Sequence, residues 1–201
     1  ARSFYDSFLK DAPTRIGITR AGNVIGGGDW GADRIVPDCI RAWAQDKEVE
    51  VRSPKATRPW QHVLEPLSGY LALGAELYNR DTKLDGEAFN FGPDADVNQT
   101  VAELLNEMST HWDKAKWGTP ENVQQIGSEA MLLKLSCDKA LHYLNWKAVL
   151  NFPQTVDFTT SWYQNWFESK EDIFNFSTSQ IEKYCQLAKE KGLSWIGPNQ
   201  A

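Results

Sequence analysis

Two neighbouring segments constrain the fold of this chain more than any others: RAGNVIGGGDW at residues 20–30 and RPWQHVLEP at residues 58–66. The first follows a β-branched run at residues 15–19 that predicts a strand, and it places Asn23 and three glycines where that strand ends. Ligands of open α/β sheets bind beyond the carboxyl ends of the strands. The pattern therefore predicts an α/β fold with a ligand site here, although a flexible turn would also account for the glycines.

Charge and cysteine content narrow the class of protein. The 201 residues carry a formal net charge of -6, which disfavours a nucleic-acid surface, and no apolar run is long enough to cross a membrane. The opening residues have mixed charges unlike those of a signal peptide, and the three widely spaced cysteines predict reduced thiols. We therefore expect a cytoplasmic protein without a nucleic-acid or membrane partner. No histidine or cysteine spacing predicts a bound metal.

Helical and strand-like periods alternate along the chain. Apolar residues recurring at three and four positions predict helices over residues 1–10, 33–45, 65–78, 98–108, 137–143, 155–167 and 179–192. Alternating or β-branched runs predict strands over residues 15–19, 48–52, 88–92 and 132–135. Asn98 and Ser136 are predicted to cap the helices that follow them. The order of elements predicts an α/β architecture followed by a mainly helical cap, with an internal boundary near residues 92–98.

Four arginines flank the two defining segments: Arg34, Arg41, Arg52 and Arg58. Guanidinium groups suit a pyrophosphate because their planar forks match its oxygens. Arg58 lies beside the aromatic Trp60, and Arg34 lies in the first turn of a predicted helix, whose amide-rich end favours anions. Arg41 is predicted to be solvated on the polar face of the same helix.

Other candidate residues carry a weaker signal. His62 could be taken for a general base, but no acidic neighbour in the sequence orients it, so a packed or substrate-contacting role is favoured. Asp29 and Glu65 are candidate acids, although single carboxylates are more often caps or surface charges. The tryptophans of the C-terminal helices stand at helical spacing, which predicts core packing more than a ligand cage.

The motifs RxxNVxG at residues 20–26 and RPWxHV at residues 58–63 resemble the extended short-chain dehydrogenase/reductase family that acts on sugar nucleotides. Within it, five blocks between residues 16 and 166 resemble the CDP-glucose 4,6-dehydratases: RAGNVIGGGDW, DRIVPD, RPWQHVLEPLSGYL, FNFGP and EAMLLKL. A related epimerase or reductase, or a non-catalytic nucleotide-sugar binding fragment, would share some of these residues. Five blocks in order are more specific than any single glycine motif.

The resemblance implies a lyase reaction that recycles its hydride. Bound NAD takes hydride from C4 of CDP-glucose, water is lost across C5 and C6, and the hydride returns to C6. The product, CDP-4-keto-6-deoxyglucose, supplies deoxysugars for the lipopolysaccharide O-antigen. The resemblance also implies a homodimer for the full-length enzyme. It places the glycine-rich NAD loop and the catalytic Tyr/Lys pair upstream, so no catalytic residue is expected here and this chain alone is expected to be inactive.

The resemblance also implies how the chain is divided. Residues 1–30 are expected to end the NAD-binding Rossmann domain, a partial parallel sheet whose first strand would leave an exposed edge that favours self-association. Residues 31–201 are expected to form the smaller, mainly helical α/β substrate-binding region, with elements returning to the Rossmann sheet around 55–92. Residues implied to face the cofactor are Ala21, Asn23 and Val24. Residues implied to bind substrate are Asn23, Arg34, Ile35, Val36, Glu50, Val51, Arg52, Arg58, Trp60, His62, Asn90 and Glu129.

Overall fold

The computed structural model describes residues 2–79, 83–94, 98–120, 135–168 and 172–196. Within these ranges helices and short strands alternate, and two long helices stand at the end. The helices are α1 (α-helical over Arg2–Phe4 and π-helical over Tyr5–Leu9), α2 (Ile35–Trp43), α3 (Leu64–Tyr78), α4 (Val101–His111), α5 (Asp138–Leu144), α6 (Phe152–Glu168) and α7 (Ile173–Glu190), with a 3-10 turn at Ser194–Ile196. None of these described helices combines the length and the apolar character that a bilayer span requires.

Short strands pair mostly in parallel. They are β1 (Ile18–Ala21), β2 (Val24–Ile25), β3 (Val49–Glu50), β4 (Thr57–Arg58), β5 (Gln61–His62), β6 (Ala88–Phe91), β7 (Gln99–Thr100) and β8 (Trp117–Gly118). The pairs β1–β6, β2–β5 and β3–β8 are parallel, and β4–β7 is antiparallel. In the longest pair Ile18 lies opposite Ala88 and Ala21 opposite Phe91. Parallel strands joined through helices confirm the predicted α/β class.

The strand predicted over residues 15–19 is shifted towards the glycines and lies at β1 instead. Its first residues are held by Asp85, whose carboxylate accepts the backbone N–H of Ile16 at 2.9 Å and pairs with Arg15 at 2.8 Å. The strand finds its parallel partner β6 within this chain. No strand pairs with its other edge among the described residues, so one exposed edge does remain.

Two predicted caps are wrong. Helix α4 begins after Thr100, not Asn98: the Thr100 hydroxyl accepts the backbone N–H of Glu103 at 3.1 Å, and the Glu103 carboxylate accepts the N–H of Thr100 at 2.6 Å. This reciprocal capping box satisfies two amide donors at once. Ser136 does not cap α5 either, because its hydroxyl donates to the Asp138 carboxylate at 3.1 Å. The strand predicted over residues 132–135 lies mostly outside the described residues.

Three apolar clusters hold the elements together. The largest joins α2, α4 and α6, where Trp43, Leu104 and Tyr163 are fully buried. A second packs α3 and α5 against β6 around Phe91. A third joins α6 to α7 around Phe158. The two C-terminal helices are therefore part of the core, as the predicted mainly helical cap requires.

Candidate functional site

A cavity of about 790 Å³ opens beyond the carboxyl end of β2, between α2 and the connections that carry β3, β4 and β5. Its lining brings together ten of the residues that the sequence singled out, although they are spread over two separate segments of the chain. They are Asn23, Val24, Arg34, Ile35, Val36, Glu50, Val51, Arg52, Arg58 and Trp60. The placement matches the general rule for ligand sites in open α/β sheets.

Local pairing explains why these two segments meet. The N–H of Gln61 donates to the carbonyl of Asn23 at 3.1 Å, which fixes the start of β2 beside β5. The Trp60 indole N–H donates to the carbonyl of Gln99 at 3.1 Å and is only 4% exposed, so it anchors the floor of the cavity. The amide of Asn23 makes no hydrogen bond to the rest of the described chain, which leaves its oxygen and nitrogen for a ligand.

The N-terminus of α2 is the second component of the site. Arg34 occupies the cap position, yet its side chain makes no capping hydrogen bond to the helix. The residues of the first turn, from Ile35 to Asp38, line the cavity. Uncapped amides and the positive end of the helix dipole favour an anion at this position.

The cavity is mixed in charge. Three arginines, Arg34, Arg52 and Arg58, line it together with four carboxylates, those of Asp29, Asp33, Asp38 and Glu50. Two of the carboxylates are already paired: Asp29 with Arg34 at 2.9 Å, and Asp38 with Arg41. Partial burial by itself would raise the pKa of Asp29. The hydrogen bond from the N–H of Gly31 and the pairing with the Arg34 guanidinium together have the larger effect, so the pKa of Asp29 is lowered.

Three predicted site residues lie outside the lining. Ala21 is half-buried at the end of β1, and the Asn90 amide donates to the carbonyl of Ser136 at 2.9 Å. His62 is 3% exposed, with its ring 5.5 Å from that of Phe158, and burial lowers its pKa to about 4. It is therefore a neutral, packed side chain beside the cavity. Glu129 lies outside the described residues.

Sequence reasoning missed the residues that hold the loop Gly26–Gly31, which we call the glycine loop. Arg41, predicted to be merely solvated, donates to the carbonyls of Trp30 at 3.0 Å and Gly31 at 3.4 Å. On the other side Trp162 packs against Gly27 so closely that a Cβ there would lie 2.0 Å from the indole Cγ. The absence of a side chain at Gly27 therefore allows the Trp162 indole to pack directly against the backbone of the loop. A contact over this sequence separation has no local signature.

One Tyr-x-x-x-Lys spacing does occur, at Tyr143 and Lys147, against the expectation that the chain lacks such a pair. Residues four apart share a face only within a continuous helix. Helix α5 ends at Leu144, and Asn145 follows with a left-handed φ of 47°. Tyr143 and Lys147 are both exposed and the helix ends between them, so the pair does not have the arrangement of a helical catalytic pair.

The described residues offer no cluster of metal ligands and only part of a dinucleotide site. No group of three His, Cys, Asp or Glu side chains that could hold a metal occurs within the described ranges. For a dinucleotide, Asn23 and Val24 offer one wall of the cavity, but the 201 residues contain no Gly-x-x-Gly-x-x-Gly after a strand. We derive no chemical step through NAD from these residues.

Sequence comparison finds a relative of known activity. Over 190 residues the chain is 38% identical to the CDP-glucose 4,6-dehydratase of Salmonella typhimurium strain LT2. The match covers 92% of this chain and 52% of that enzyme, so the chain spans about half the length of the curated relative it matches. No profile of a known protein family matches the chain.

Solved structures of nucleotide-sugar enzymes share the fold. A UDP-glucose 4-epimerase from Stenotrophomonas maltophila with bound NAD superposes with a TM-score of 0.66 at 16% identity, covering 84% of this chain and 53% of its own. The UDP-glucuronic acid 4-epimerase of Bacillus cereus, in complex with UDP-glucuronic acid and NAD, gives 0.63 at 15% identity, covering 82% and 50%. At these identities the likeness shows the fold, which is Rossmann-like.

Proposed function

This chain is a homologue of CDP-glucose 4,6-dehydratase with the fold of nucleotide-sugar epimerases, and we propose that it is the substrate-binding part of such a dehydratase. The observation that carries the proposal is the cavity, where three arginines and the uncapped N-terminus of α2 converge. The proposed substrate is CDP-D-glucose and the proposed product is CDP-4-keto-6-deoxy-D-glucose. The pathway would supply deoxysugars for the O-antigen.

Different cavity residues contact different parts of the proposed ligand. Arg58 and Arg34 pair with the pyrophosphate, and the N–H groups of Ile35 and Val36 at the start of α2 donate to its oxygens. Asn23 hydrogen-bonds the diphosphate through its amide. The base would lie along β3 and Arg52, because the Glu50 carboxylate and the Arg52 guanidinium both line the cavity and offer polar contacts. In the full-length enzyme NAD supplies the hydride chemistry, while the residues here bind and orient the sugar nucleotide.

The organisation of the enzyme is part of the proposal. Residues 1–30 would complete a NAD-binding domain, and residues 31–201 would form the substrate-binding region, with the segment around 55–92 returning to the sheet through the β1–β6 and β2–β5 pairs. We propose a homodimer for the full-length enzyme, supported by two exposed phenylalanines on α1. A cytoplasmic location fits the three free thiols. The 201 residues alone are proposed to bind substrate without turning it over.

Calorimetric titration of this chain with CDP, UDP and dTDP tests the proposal. CDP should bind most tightly, and Arg58→Ala should weaken CDP binding by about 1.5 to 3 kcal/mol because a charge-assisted phosphate contact is lost. Lys55→Ala is the matched control. Lys55 is a cation three residues before Arg58 that does not line the cavity, so its removal should leave the affinity nearly unchanged.

Each outcome decides between the candidates. Tighter binding of UDP or dTDP than of CDP would favour a related epimerase or reductase. Equal losses of CDP affinity in Arg58→Ala and Lys55→Ala would indicate a general effect of positive charge. That result would contradict a phosphate contact of Arg58 in the cavity. If the folded chain binds none of the three nucleotides, the described residues do not form the substrate site and the proposal fails.

A further inference from the structure

Helix α6 covers the glycine loop although the two are far apart in the chain. The indole of Trp162 lies on Gly27 and within 3.6 Å of the Cβ position of Gly28, and its N–H donates to the Ser177 hydroxyl at 2.9 Å. It also stacks on Trp166, with ring centroids 5.7 Å apart and planes 6° from parallel. Hydrogen bonding and stacking both fix the orientation of the indole, so Trp162 is a rigid surface against the loop.

Tyr163 binds the same loop through a hydrogen bond. Its side chain is fully buried, and its hydroxyl donates to the carbonyl of Asp29 at 2.7 Å. The Trp30 ring packs edge-on against it, with centroids 5.3 Å apart. The carbonyl of Asp29 is thus fixed by α6, while the neighbouring carbonyls of Trp30 and Gly31 are fixed by Arg41 of α2.

Asp29 connects this contact to the cavity. Its carboxylate accepts the N–H of Gly31 at 3.0 Å and pairs with the Arg34 guanidinium at 2.9 Å. The Arg34 side chain is 66% exposed, so it has few contacts other than Asp29 to set its direction. Any shift of the Asp29 backbone would move the carboxylate and, with it, the guanidinium that lines the cavity.

We propose that Trp162 and Tyr163 of α6 are positioning residues for the nucleotide site. They hold the glycine loop, and through the Asp29–Arg34 pair they set where the Arg34 guanidinium meets the diphosphate of the ligand. This inference rests on the proposed function of the cavity. It adds that affinity depends on a helix whose own side chains do not line that cavity.

A double-mutant cycle with CDP as the probe tests the coupling. Tyr163→Phe removes the hydroxyl and keeps the ring, so CDP should bind about three- to tenfold more weakly in this variant. This loss of CDP affinity should vanish when Arg34→Ala is already present. It should persist in full in the Arg58→Ala background, because Asp29 pairs with Arg34 and not with Arg58. Tyr184→Phe is the matched control: it also removes a buried hydroxyl, one that donates to the Glu65 carboxylate and lies 3.0 Å from the Ser68 hydroxyl, and should not change the affinity.

A purely structural role for Tyr163 predicts a different pattern. In that case Tyr163→Phe would lower the unfolding temperature but leave the CDP affinity of the folded chain unchanged, and the inference would be overturned. The inference would also be overturned if Tyr163→Phe lowered the CDP affinity equally in the Arg34→Ala and Arg58→Ala backgrounds. If the parent chain does not bind CDP, the proposed function fails, and a measurement without ligand then decides the inference.

Hydrogen exchange of the chain without ligand provides that measurement. Tyr163→Phe and Trp162→Leu should speed the exchange of amides in residues 26–34 and leave those of α4 unchanged. Gly27→Ala should do the same because its methyl would collide with Trp162, and adding Trp162→Leu should partly reverse the effect. Gly74→Ala, which has open space around its Cβ position, is the control. Unchanged exchange of residues 26–34 in Tyr163→Phe would overturn the inference whether or not CDP binds.

Discussion

Glu65 is a buried acid placed where the C-terminal helices join α3. It is 1% exposed, and its carboxylate accepts the backbone N–H groups of Val149 at 3.0 Å and Leu150 at 2.7 Å and the Tyr184 hydroxyl at 3.0 Å. Burial nevertheless raises its pKa to about 7, because desolvation outweighs these donors. The sequence favoured a cap or surface charge at this position, since its partners lie more than eighty residues away.

The raised pKa of Glu65 predicts a pH-dependent stability. In the unfolded chain Glu65 ionises near its usual pKa of 4.5, whereas in the folded chain it keeps its proton up to about pH 7. The unfolded state therefore binds fewer protons in this interval, so the free energy of unfolding falls as the pH rises. The lowered pKa of His62 acts in the opposite direction between about 4 and 6.5.

A comparison with Glu65→Gln isolates the carboxyl, because the His62 contribution cancels. Between about pH 5 and about pH 8 the unfolding free energy of the parent chain should fall by about 2.5 kcal/mol relative to the variant. Urea denaturation at several pH values measures this difference. A difference between the two proteins that does not change with pH would contradict the assigned pKa.

Part of the candidate site could be predicted from the chemistry of individual residues in the sequence. Arg58 and Arg34 were predicted because guanidinium groups beside an aromatic residue or a helix start suit a phosphate, and both line the cavity. Tyr163 was not predicted as part of the site, because its bond to the carbonyl of Asp29 spans 134 residues. Local patterns carry no information about such a contact.

At the level of elements, the capping box of α4 gives a direct test. Thr100→Ala should lower the free energy of unfolding by about 1 kcal/mol, because the backbone N–H of Glu103 loses its acceptor and the reciprocal capping box is broken. Asn98→Ala removes the side chain that the sequence favoured as the cap, and it should have a clearly smaller effect. Urea denaturation of both variants compares the two positions. A larger loss in Asn98→Ala than in Thr100→Ala would show that the helix is capped differently.

The helices α2, α3 and α4 could be predicted because apolar residues repeated over several turns leave a clear period. Of the described two-residue strands, β3 lies within the strand predicted over residues 48–52. The others could not be predicted, since alternation needs at least four residues to be recognised. Residues 24–25 and 61–62 pair through two backbone bonds, from the N–H of Gln61 to the carbonyl of Asn23 and from the N–H of Val63 to the carbonyl of Ile25. Cap positions were ambiguous because Asn98 and Thr100 both suit a helix start.

For the whole molecule, the open edge of β1 and an apolar face of α3 predict self-association. Leu67, Leu71 and Tyr78 are 44%, 75% and 86% exposed. Leu71→Glu should reduce association in sedimentation velocity, because a charge on this face opposes its burial between two copies. Phe174→Glu on α7, which replaces a side chain that is also 75% exposed, is the control and should leave association unchanged. A monomeric parent chain, or equal effects in both variants, would show that this face does not drive association.

We propose that one cavity of this chain holds the diphosphate of a sugar nucleotide. A crystal structure of the chain with CDP tests this most directly. We predict that the diphosphate lies between Arg34 and Arg58 at the N-terminus of α2, with Asn23 within hydrogen-bond distance. CDP bound elsewhere on the chain, with this cavity empty, would contradict the assignment of the substrate site.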